Sequence, residues 1–121
     1  MKGDFGLQIV VHDKKLNKLL NDSNKLIKKI GIEITRSMKK RFNQLQAADN
    51  FKQYLDNGIG KPHPLVGSLD NLYGISLSKN YRLIVEPLSE NLDNESLKQC
   101  NKVNVKGVAN YHDGKCEWLI P

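Results

Sequence analysis

Apolar and polar positions change period along this chain, and the change divides it in two. Leu7, Ile9 and Val11 alternate with Gln8 and Val10 in a β-branched run that predicts a strand, with His12 at its end. Asp13 follows, placed where a carboxylate accepts from the free N–H groups of a first helical turn. Leu16, Leu19, Leu20, Leu26, Ile27 and Ile30, with Ser23 filling the gap, keep the three-and-four spacing of one helical face. That predicts a first helix reaching Gly31, a residue suited to a helix C-terminus. Ile34, Met38, Phe42 and Leu45 predict a second helix, extended by Ala47 and Ala48. Asp49 or Asn50 then caps a short turn of helix containing Phe51, Tyr54 and Leu55. Asn57-Gly58-Ile59-Gly60-Lys61-Pro62 stops everything helical.

Beyond that loop the period becomes two. Tyr73, Ile75 and Leu77, then Tyr81, Leu83 and Val85, are apolar alternations separated by the turn residues Ser78-Lys79-Asn80, which predicts a hairpin. Pro87 to Asn101 is polar and acidic and reads as a long surface loop. Val103, Val105, Val108, Ala109 and Tyr111 predict a further strand, with Gly107 at a bulge. Asp113-Gly114 is a tight-turn signal, and Cys116 to Ile120 returns as a short last strand. The expected fold is α+β: an N-terminal strand and two antiparallel helices packed on a mainly antiparallel sheet of about four strands. A chain of 121 residues with no internal repeat is expected to be a single domain over residues 1–121.

Composition adds exclusions. The longest apolar runs are three residues, Ile9 to Val11 and Leu83 to Val85, far short of the ~20 a membrane span needs. The N-terminal Met-Lys-Gly-Asp-Phe has no apolar stretch of signal-peptide length, so a cytoplasmic protein without a membrane partner is expected. Cys100 and Cys116 are too few for a disulfide framework and lie in no CxxC, which leaves free thiols as the plain reading and gives no zinc-ligand pattern. The net charge is +6, but Asp13 to Arg41 alone holds ten basic and three acidic residues, a local net of +7. One part of the chain therefore carries the whole excess. That pattern fits a polyanionic partner or an acidic protein ligand, and equally a solvated helix face.

Few residues offer chemistry. His63 sits between two prolines, His112 closes a predicted strand, and Arg82 lies inside another. Arg82 is one of three arginines in a lysine-rich chain, and its planar fork suits phosphate. Two histidines and an arginine on a sheet permit metal-free RNA cleavage. A base takes the 2′-hydroxyl proton, a cation stabilises the phosphorane-like transition state, and an acid protonates the leaving 5′-oxygen. The residues allow this reaction without requiring it.

A resemblance makes the reading specific. His63-Pro64-Leu65-Val66-Gly67-Ser68-Leu69, Gly74 to Leu77, Asn80-Tyr81-Arg82-Leu83-Ile84-Val85-Glu86-Pro87 and Val108 to His112 occur in that order. Together with Asp13 to Leu16 and Leu45 to Asn50, they resemble the RelE/ParE toxin superfamily, and within it the HigB-like branch, over about residues 5 to 113. The resemblance implies a toxin of a type II toxin–antitoxin pair, a ribosome-dependent endoribonuclease that cuts mRNA in the decoding site without metal or other cofactor. It implies catalytic roles for His63, Arg82, Tyr111 and His112, and substrate contacts from Lys61, Lys79 and Asn110. The partners it implies are a cognate antitoxin, mRNA and ribosomal RNA. One position departs from the pattern: HigB-like members commonly carry aspartate where this chain has Asn110, which cannot act as a base. Two other readings stay open on this basis, a ParE-like gyrase poison and a member that binds antitoxin but no longer cleaves.

Overall fold

The computed structural model describes residues 6–66, 69, 71–112 and 115–121, with His112 described by its backbone alone. The sequence elements Gly67-Ser68 and Asp113-Gly114, the latter a predicted turn, lie outside the described residues. Strand β1 covers Gln8–Val10 and is followed by helices α1 (Lys14–Leu20), α2 (Ser23–Ile30), α3 (Ile32–Ala47) and α4 (Phe51–Asn57). The second half holds β2 (His63–Pro64), β3 (Tyr73–Ser76), β4 (Tyr81–Pro87), α5 (Asn94–Lys98), β5 (Lys102–His112) and β6 (Lys115–Ile120).

The first predicted helix is in fact two. Asn21 closes α1 by donating its backbone N–H to Asn17 and Leu19 carbonyls, and Asp22 opens α2 by accepting from Lys25 N. Asn and Asp bond their own backbone more readily than they extend a helix, so this pair breaks a run whose apolar spacing is continuous. The predicted caps Asp13 and Asn50 both accept first-turn N–H groups, from Leu16 and Gln53, at 2.9 and 2.8 Å. Gly31 joins α2 to α3 at φ +84°, a value that favours glycine. The expected loop over 87–101 contains α5. Its Asp93 cap accepts from Ser96 N and its one buried residue, Leu97, pins it to the core. A single turn buried through one leucine leaves too little periodicity to read.

Six strands form one sheet in the order β1-β5-β4-β3-β2, with β6 also on β5, rather than about four. The strand outside that expectation is the two-residue β2; the terminal β6 falls where Cys116 to Ile120 reads as a short last strand. β1 runs parallel to β5 from Gln8↔Lys102 to Val10↔Asn104, and every other pairing is antiparallel. β1 and β6 therefore share one edge of β5, end to end. The bulge falls as expected: Ile84 pairs with Gly107 and Val85 with Val105, which leaves Lys106 extra. A Cβ on Gly107 would stand 2.0 Å from the Ile120 carbonyl oxygen, so no side chain fits there.

One face of the sheet packs on the helices. Leu83, Val85, Ile75, Val105 and Val108 meet Leu26, Met38, Leu45 and Phe51 in the main core. The other face has a smaller cluster, in which Leu65 covers Ile84 and Ala109, with Leu69, Leu72, Tyr111 and Cys116 at its margin. Ile84 is thus buried, although strict alternation placed it outward. The unbroken apolar run Leu83 to Val85 is the mark of a strand covered on both faces. Cys100 lies in the main core and Cys116 at the second cluster, both as free thiols, and burial raises the pKa of each.

Candidate active site

The second face of the sheet carries the functional candidates, and strand pairing decides which. Ser76, Arg82 and Ala109 form one row across β3, β4 and β5, and His63, Gly74, Ile84 and Gly107 form the next. Ile84 and Ala109 belong to the second cluster, so both rows face away from the helices.

Arg82 is held at one nitrogen. Its Nη1 donates to the carbonyls of Ser78, Lys79 and Tyr81 at 2.9, 3.3 and 3.1 Å, all in or beside the β3–β4 turn. Its Nε and Nη2 make no hydrogen bond among the described residues. The fork is fixed in direction with donors left for a bidentate anion.

His63 is oriented by its own loop. Lys61 takes φ +49°, and its carbonyl lies 3.1 Å from His63 Nδ1. A carbonyl only accepts, so Nδ1 carries the hydrogen and Nε2 of the neutral ring keeps its lone pair. The loop itself is tied down on both sides. Tyr54 Oη donates to Ile59 O at 2.7 Å, and Ser76 N donates to Gly60 O at 2.8 Å. Arg41 of α3 donates Nε to Ser76 O at 2.8 Å and Nη1 to Gln44 Oε1. A chain of contacts then runs to the site, because Ser76 Oγ donates to Ser78 O, the carbonyl that also anchors Arg82.

Gly74 lies beside both candidate side chains. A Cβ there would lie 3.7 Å from His63 Cε1 and 3.8 Å from Arg82 Cβ, and 3.3 Å from Leu65. Its missing side chain leaves room between the imidazole and the base of the Arg82 side chain. Beside His63 and Arg82 opens a cleft of about 380 Å³, lined among the described residues by Lys61, His63, Ser76, Ser78, Lys79 and Arg82, with no carboxylate among them. Three cations and a histidine around such a space suit a phosphate. A cleft of about 440 Å³ beside α5 has Glu90 and Glu95 in its wall and so has the wrong sign for an anion. Among the described residues no cluster of His, Cys, Asp and Glu is placed to hold a metal ion.

Of the sequence candidates, His63, Arg82, Lys61 and Lys79 converge on this cleft. Tyr111 comes to its margin, its ring centroid 6.3 Å from that of His63, although β3 and β4 lie between their strands. Asn110 does not join them. It pairs with Tyr81, whose ring packs on the helix-side core, and its Oδ1 is buried without a hydrogen-bond partner. His112 pairs with Lys115 at the end of β5, and its side chain is outside the described part. Sequence reasoning missed Gly74, Arg41 and Tyr54. A glycine inside a strand and an arginine among lysines were signals for the first two. Nothing in the sequence marked Tyr54.

No family model matches the sequence, and no curated protein matches it. Solved structures do. The YoeB–YefM complex and the YoeB dimer from Staphylococcus aureus each match with a TM-score of 0.52 at 16% identity, over 88% of this chain and 97% of theirs. The chain shares its fold with these YoeB structures. A YoeB/ParE toxin from Agrobacterium tumefaciens agrees, with a TM-score of 0.51 at 11% identity over 93% of this chain and 98% of the other. The expected α+β architecture is the one observed, with a higher strand count.

Proposed function

We propose that this chain is the toxin of a type II toxin–antitoxin pair and cuts mRNA on the ribosome, as a HigB-like ribonuclease. The observation that carries the reading is the cleft where His63, Arg82, Lys61 and Lys79 meet with no carboxylate among the described lining residues. In the proposed reaction His63 Nε2 takes the proton from a 2′-hydroxyl, whose oxygen attacks the adjacent phosphorus. Arg82, through its unoccupied donors, binds the equatorial oxygens as charge builds on them. The P–O5′ bond breaks, leaving a 2′,3′-cyclic phosphate, and an acid protonates the departing 5′-oxygen. The resemblance assigns that role to His112, which by alternation shares the face of Asn110 and so requires β5 to end or twist at that residue, with Tyr111 orienting His63 or stacking on a base. Asn110 takes no proton in this scheme, because an amide does not titrate. Its place away from the cleft supports a base other than the acid usual before the Tyr-His pair.

The lysines of α1 to α3 bind ribosomal RNA phosphates in this reading, or the acidic segment of an antitoxin. One of the matching structures is a toxin solved with its YefM partner, which supports an antitoxin for this chain too. Among the described residues no helix is long and apolar enough to cross a membrane.

Primer extension on an mRNA, with and without translating ribosomes, tests the reading. Cuts that need ribosomes, follow codon register and disappear in Arg82→Ala are expected. Folded protein that leaves the mRNA intact defeats the nuclease reading and directs the next assay to gyrase-linked DNA cleavage.

A further inference from the structure

Trp118, the single tryptophan, is 41% exposed on β6. It pairs with Ala109, which pairs with Arg82, so these three form a row on the face that bears the cleft. Two strand spacings put Trp118 about 10 Å from Arg82. Tyr111 pairs with Cys116, which makes Trp118 its diagonal neighbour on that face, at a spacing of about 7–8 Å. Since the Tyr111 ring approaches His63, the imidazole, phenol and indole form a line from the cleft to the far side of the sheet. Among the described residues no other aromatic ring packs on the indole.

Beside it lies a second cleft of about 340 Å³, lined by Trp118, His12, Asn104, Lys106, Val105, Pro121 and Asp13. Its polar members are mostly occupied. Asp13 accepts from Leu16 N, and the buried Asn104 side chain accepts from His12 N and donates to Glu86. Lys106, the residue extruded by the β5 bulge, is exposed and supplies a cation at the rim. An apolar slot with one indole wall, its one carboxylate engaged as the α1 cap and one lysine at the rim, is the chemistry that receives an unpaired nucleobase and the phosphate next to it. Stacking on sheet-borne aromatics is how single-stranded RNA is held without a base-edge code.

We propose that Trp118 is a stacking platform for a nucleotide near the reacted phosphate, with Lys106 on that nucleotide's backbone. This extends the site onto β6 and rests on the ribonuclease reading.

As the sole tryptophan, Trp118 reports on its own surroundings. A short 2′-O-methyl oligoribonucleotide, which cannot be cleaved, is titrated while indole emission and the anisotropy of a labelled copy are followed. Saturable quenching is expected, with Trp118→Ala weakening Kd about tenfold and Trp118→Phe largely restoring it. Replacing one nucleotide at a time by an abasic residue should find a position that costs the parent about tenfold and costs Trp118→Ala nothing. Circular dichroism confirms that both variants are folded. Binding that depends on Arg82 but neither quenches the indole nor couples any base to Trp118 overturns the inference and leaves the ribonuclease reading intact. Emission that responds only to a protein partner overturns it in the same way. No oligonucleotide binding together with no ribosome-dependent cuts overturns both.

Discussion

At the scale of single residues, the site works by restraint. Arg82 gives one nitrogen to three carbonyls and keeps the rest of its fork. Lysine presents a point charge and cannot both anchor and bind bidentately. Arg82→Lys is therefore expected to lower ribosome-dependent cleavage about 10²-fold, a loss of the size seen when one transition-state donor is removed, with binding of intact mRNA changed much less. Gel-based cleavage rates at saturating ribosome would show it. Gly74→Val crowds His63, Leu65 and the base of Arg82 at once and should sharply lower cleavage in a protein that still melts cooperatively.

Tyr54 makes a different prediction. Burial pushes its pKa from 10.0 up to about 12, with nearby Arg41 pulling the other way. Above pH ~10 the unfolded chain releases this proton while the folded one keeps it, so stability falls as pH rises. The loss approaches about 2–3 kcal/mol by pH ~12. Urea midpoints measured across that range should decline more steeply for the parent than for Tyr54→Phe.

Among the elements, α3 does the most to position the site. Arg41 reaches from it to Ser76 O, and through the Ser76–Ser78 contacts to the carbonyl that anchors Arg82. Arg41→Ala should cost about 1–3 kcal/mol of stability. It should also lower the cleavage rate more than mRNA affinity, a split that separates positioning from binding. Periodicity made the strands and the longer helices legible, since each hides one apolar face. The breaks were less so: the α1–α2 boundary turns on Asn21 and Asp22 bonding locally, which apolar spacing does not register. β2 was invisible because two residues, one of them proline, make no pattern. The cleft was readable only in part. His63 and Arg82 stood out as residue types, but their meeting over Gly74 depends on the β2–β3–β4 register, which no local feature encodes.

For the whole molecule, charge and topology set the behaviour. The basic residues lie largely in the helical half, and the cleft adds its own cations on the other side of the sheet. Association with ribosomes should therefore weaken steeply with salt. Charge reversal at Lys28 and Lys29 should reduce that slope while leaving the cleavage rate at saturation unchanged.

The pairing of β1 with β5 has a consequence for synthesis. Gln8 finds its partner at Lys102, and β5 also brings in Tyr111 and the strand that closes the sheet behind it. A nascent chain therefore carries its helices and hairpin early, yet cannot complete the sheet until β5 and β6 have left the ribosome. In the proposed role, the molecule stays harmless to the machine that is making it until β5, the strand that both β1 and β4 pair with, has emerged.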